Sequence, residues 1–88
     1  MTYTVVVSER ATRYLERADR TTQLRVRAML NLLAQDPYDI RHSKALRGPG
    51  DFRSARVGNL RLIFVVERGE LLVLVERIAP RGQVYRNL

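Results

Sequence analysis

An α+β fold of order β-α-α-β-β-β, an antiparallel-rich sheet with a two-helix layer on one face, is predicted by three observations. A Val- and Thr-rich run opens the chain at 2–7. Two stretches of helical periodicity follow, and Asp36-Pro37 closes the second. Three strand-like runs separated by short glycine turns then fill residues 51–78. A sheet with one apolar face needs a covering layer, and two amphipathic helices provide it.

Each element has a local cause. TYTVVV, residues 2–7, favours extended backbone. Ser8 is placed to cap a helix, and Glu9 suits the positive end of its dipole. Ala11, Tyr14, Leu15 and Ala18 recur at i, i+3, i+4 and i+7, the spacing of one helical face. Thr21 or Thr22 is the expected cap of a second helix, with Val26, Met29, Leu30 and Leu33 as its apolar stripe. A residue before proline avoids helical geometry, so Asp36 ends it. PYDIRHSKALRGPG, residues 37–50, reads as a loop. A strand over 51–57, a two-residue turn at Gly58-Asn59, and strands at 60–67 and 71–78 complete the sheet. Arg68-Gly69 turns between the last two strands. Their centres are apolar at nearly every position, as in strands covered on both faces. Ala79-Pro80 is the expected end of the sheet.

The 88 residues suit one domain, residues 1–88, and cysteine is absent. No apolar run reaches the ~18 residues of a membrane span, and the start, MTYTVVVSER, lacks the pattern of a cleaved leader. The expectation is a soluble, cytoplasmic protein that does not engage membranes. The formal net charge is +7. Fifteen of the sixteen basic residues are arginine, a bias that a GC-rich genome also produces. Residues 1–40 carry six basic and five acidic side chains, whereas residues 41–88 carry ten and four. Such a localised excess predicts an anionic partner, nucleic acid or an acidic protein.

The segment SARVGNLRLIF, residues 54–64, concentrates the question. With Gly58-Asn59 as a two-residue turn, Arg56 lies directly opposite Arg61. Like charges so placed oppose folding. Counting from an Arg68-Gly69 turn puts Glu76 beside Arg61. Either an Arg56–Arg61–Glu76 cluster closes the sheet edge, or the pair holds an anion.

Other chemical templates do not fit. His42 reads as a solvated loop residue, and no metal-ligand spacing or phosphate-loop glycine pattern occurs, so no metal or cofactor is expected. Arginines 10, 13, 17, 20, 25 and 27 read as the solvated faces of the helices. A basic loop, a basic hairpin and a tail with Arg77, Arg81, Tyr85 and Arg86 remain. Guanidinium forks bind phosphate, and a tyrosine ring stacks on an unpaired base. The same groups are able to cleave RNA by aligning the ribose 2′-hydroxyl and stabilising the charged phosphorane.

KALRG at 44–48, RVGNLRLIF at 56–64 and IAPRGQVY at 78–85, in this order, resemble the RelE/ParE superfamily of bacterial type II toxins. The resemblance spans nearly the whole chain and implies a strand–helix–helix–three-strand fold. In its RelE branch it implies a toxin that acts as a ribosome-dependent, metal-independent endoribonuclease. Such an enzyme cuts mRNA in the A site by 2′-hydroxyl attack. Arg61 then resembles the arginine that holds the scissile phosphate, Arg81 the one that stabilises the transition state, and Tyr85 the residue that orients the nucleophile. Lys44, Arg47, Arg53, Arg56, Arg77 and Arg86 become RNA-binding candidates. The implied partners are the ribosome, mRNA and an acidic antitoxin that wraps the basic surface. Two alternatives stay open: a ParE-like poison of DNA gyrase, and a catalytically weak member that acts by binding its partner. Ser54, which stands where the family usually has a basic residue, motivates the second.

Overall fold

The computed structural model describes residues 2–48 and 50–82. Strand β1 (Thr4–Val7) leads into helices α1 (Glu9–Arg17) and α2 (Arg20–Gln35). Strands β2 (Ser43–Ala45), β3 (Phe52–Val57), β4 (Leu60–Glu67) and β5 (Leu72–Pro80) follow. The five strands form one sheet in the order β1-β5-β4-β3-β2. β1 runs parallel to β5, and the other neighbours are antiparallel.

Ser8 caps α1 as its sequence predicts. Its Oγ accepts the Ala11 N–H at 3.1 Å and donates to the Glu76 carbonyl at 2.8 Å, so one hydroxyl fixes the helix start to β5. The cap of α2 is Asp19, whose carboxylate accepts the Thr22 N–H at 2.9 Å. Thr21 and Thr22 belong to the first turn instead. α2 ends at Gln35, with Asp36 as C-cap. Ala11, Val26 and Leu33 pack on Ala55, Leu62, Phe64, Val73, Val75 and Ile78, which makes the main core between helices and sheet. On the sheet's other face Ile63 and Ala79 are buried, with Leu46 and Phe52 against them.

Three further sequence expectations change. Strand β2 lies inside the stretch read as loop; it is three residues long and is held by its pairing with β3. β5 runs on through Ala79 and Pro80. The register of β4 with β5 also differs. Arg68 to Leu71 all belong to the turn, with Leu71 at φ 53°. A bulge then lets Ile63 face Arg77 while Phe64 faces Val75. Glu76 is the extra residue. Arg61 therefore pairs with Ala79, and the predicted Arg56–Arg61–Glu76 row does not form.

Candidate nucleic-acid interface

Gly58, at φ 57°, takes the first central position of a two-residue hairpin turn, where a side chain would be strained. The turn sets Val57 against Leu60 and Arg56 against Arg61. Paired residues share a face, so two cross-strand rows follow on the face away from the helices. One is Ala79–Arg61–Arg56, and the next is Arg77–Ile63–Ser54–Lys44.

Arg61 is only 6% exposed, a rare state for a charge. Arg56 is exposed, and its Nε donates to the Gly58 carbonyl at 3.1 Å. Arg77 is half-buried; its Nη1 is shut off from water and has no hydrogen-bond partner among the described residues. An unmatched buried donor is costly, and an anion would satisfy it. Arg81 is exposed, and its N–H donates to the Asn59 carbonyl at 2.8 Å. That bond brings a residue twenty positions away from Arg61 to the same hairpin end.

Beside these rows lies a concavity of about 260 Å³ lined by Ile40, Arg41, His42, Ser43, Lys44, Ser54, Arg56 and Arg61. One wall is the 37–42 segment, which is tightly tied. The Asp36 carboxylate accepts the Tyr38 N–H, and the Asp39 carboxylate accepts the Arg41 N–H and its guanidinium. The Asp39 carbonyl accepts from His42 and Ser43. The Arg41 side chain, then its N–H, hold the Asp39 carboxyl down at about 2 from an ordinary 3.8. The same pairing raises Arg41.

The sequence candidates thus divide. Lys44, Arg56 and Arg61 meet in the concavity; Arg77 lies one row away and Arg81 at the hairpin end. Arg53 does not join them. It alternates onto the helix-side face, where its Nε donates to Ser43 Oγ at 2.8 Å and its guanidinium lies 5.0 Å from the centre of the Tyr38 ring. Arg47 is exposed in the β2–β3 connection and does not line the concavity. Tyr85 and Arg86 lie outside the described residues. Conversely, His42, read as a solvated loop residue, is half-buried and lines the concavity with Arg41 and Ile40. Only the folding of β2 against β3 makes this visible.

The arrangement offers guanidinium and ammonium groups around a space suited to a phosphate. Comparisons with known proteins agree with a toxin fold. The archaeal RelE of the RelE–RelB complex from Pyrococcus horikoshii OT3 superposes with a TM-score of 0.82, at 24% identity over 94% of this chain and 99% of that one. The toxin–antitoxin complex RelBE2 from Mycobacterium tuberculosis gives 0.73, at 26% identity, 92% and 100%. The isolated E. coli RelE toxin gives 0.76, at 20% identity, 89% and 83%. No curated protein matched the chain. Residues 5–85 match the family described as ParE toxin of type II toxin-antitoxin system, parDE. With nearly its whole length inside that match and a RelE-like architecture, the chain belongs to the RelE/ParE superfamily and is the toxin of a type II toxin–antitoxin system.

Proposed function

We infer that this toxin is an endoribonuclease that cuts ribosome-bound mRNA in the A site. The observation that carries the reading is the meeting of Arg56, Arg61 and Lys44 around one concavity, with Arg81 tied to the same hairpin. In this mechanism Arg61 holds the scissile phosphate. Arg81 faces the charge that grows on the phosphorane, and Tyr85 orients the 2′-hydroxyl and stacks on a base. Lys44, Arg56 and Arg77 neutralise neighbouring phosphates, with Arg47 and Arg86 as outlying contacts to RNA, while Arg53, on the helix-side face, takes no part. The ribose itself supplies the nucleophile, so the protein's task is alignment and charge stabilisation. An acidic antitoxin would compete for the same cations, in line with the RelE relatives that were crystallised with their antitoxins.

A second reading, poisoning of DNA gyrase, is favoured by the match of residues 5–85 to ParE toxins. The arginine surface would then contact a protein. Purified protein freed of antitoxin separates the two. Cleavage inside codons of translated mRNA with gyrase supercoiling untouched supports the nuclease. Inhibited supercoiling with intact mRNA supports the gyrase reading.

A further inference from the structure

The chemistry proposed above needs a proton acceptor as well as cations. An attacking 2′-hydroxyl must lose its proton; the groups assigned to the phosphates are guanidinium and ammonium donors, and the Tyr85 phenol is assigned to orienting that hydroxyl. Arginine and lysine ordinarily stay protonated at neutral pH. Of the eight residues lining the concavity, the remaining ones offer hydroxyl or alkyl groups, with one exception: the imidazole of His42. Imidazole ordinarily exchanges its proton between pH 5 and 8, which suits it to base catalysis.

Its position is built. The main-chain N–H of His42 donates to the Asp39 carbonyl at 3.0 Å, and the Asp39 carboxylate is itself clamped by Arg41. A turn closed by that many bonds fixes the backbone from which the imidazole projects. Across the concavity stand Arg56 of β3 and Arg61 of β4.

We propose that His42 is the general base of the cleavage centre. This assignment rests on the nuclease reading. Neutral imidazole takes the proton from the 2′-hydroxyl as the 2′-oxygen bonds to phosphorus. The bond from phosphorus to the 5′-oxygen breaks, and that oxygen takes a proton from water. The imidazolium then returns its proton to the solvent, so no net proton is consumed. The products are a 2′,3′-cyclic phosphate and a 5′-hydroxyl end. The charged groups around the imidazole are Asp39 and Arg41 of its own segment, Lys44 of β2, Arg56 and Arg61.

The experiment is ribosome-dependent cleavage of a defined mRNA across pH by wild type, His42→Ala and His42→Gln, with free imidazole added to His42→Ala. Both variants keep the main-chain bond to Asp39, so a thermal melt should match wild type. The expected result is a loss in kcat of about 10²-fold or more with KM little changed. The falling activity of wild type towards low pH should vanish in both variants, and imidazole should restore part of the rate to His42→Ala. Cleavage by His42→Ala at the wild-type rate, with an unchanged pH profile, overturns the assignment and leaves the nuclease reading standing. Wild-type protein that leaves ribosome-bound mRNA intact overturns both.

Discussion

Among the described residues, Arg61 is the charged side chain that the fold buries. Its guanidinium is almost fully enclosed and stands directly across from a second arginine. Sequence shows the pairing, because a Gly-Asn turn between strand-like runs fixes the register locally. It does not show the neighbour on the other side. That neighbour is Ala79, set by a turn and a bulge that no local pattern marks. Asp39 acts at the same scale. Its carboxyl is held at about 2 against an ordinary 3.8, chiefly by hydrogen bonds from Arg41. A depressed carboxylate contributes its order above the ordinary value and loses it as pH falls through the folded one. The 37–42 segment should therefore loosen between about pH 4 and pH 2. Amide exchange at Arg41 and Ser43 checks this, with Asp39→Asn showing fast exchange already at neutral pH. Protection that persists unchanged to pH 2 would show that the clamp does not order the segment.

Among elements, the β3–β4 hairpin matters most, since it sets Arg56 against Arg61 and receives Arg81. Its turn was legible because glycine alone accepts the left-handed φ of 57° without strain. Gly58→Ala should destabilise the protein by about 1–3 kcal/mol, read as a lower urea midpoint with an unchanged slope. The added Cβ meets only the Arg25 Nη1, at 3.8 Å, so strain rather than collision is the cause. Equal midpoints would mean that the turn relaxes at no cost. The β4–β5 connection was not legible for the opposite reason. Leu71 takes a positive φ although nothing in its type favours it, which lengthens the turn and shifts the register. β2 was hidden because three residues between turns carry no alternation of their own; its strand character comes from the partner strand. The cap of α2 was misplaced by two or three residues since Asp19, Thr21 and Thr22 all suit an N-cap, and tertiary fit chose the first.

At the scale of the whole molecule, the order of layers follows from hydrophobic pattern, and the charge distribution follows from the order of strands. Strands β2 to β5 come from the basic second half of the chain, and among its described residues Lys44, Arg53, Arg56, Arg61 and Arg77 lie on the sheet. The pairing of Arg56 with Arg61 could be found from sequence because the hairpin brings the two together locally. His42 could not, since its place beside Arg56 and Arg61 depends on β2 joining the edge of the sheet. Arg53 was grouped with the others by charge alone, and alternation along β3 sends it to the opposite face. Binding to a single-stranded RNA should fall steeply with salt, because each phosphate neutralised releases counterions, about 0.7 per contact. A plot of log affinity against log salt should therefore be steep for wild type and shallower by about that amount for Arg56→Ala. A flat line would exclude phosphate contacts.

The most direct measurement is primer extension on a defined mRNA in a translating cell-free system, with wild type and Arg61→Ala side by side. Cuts inside codons that require ribosomes, and that weaken by about 10²- to 10³-fold in the variant, are the predicted result. Intact mRNA with active wild-type toxin, or equal cutting by both proteins, would contradict Arg61 as the phosphate-holding group of an mRNA-cleaving centre.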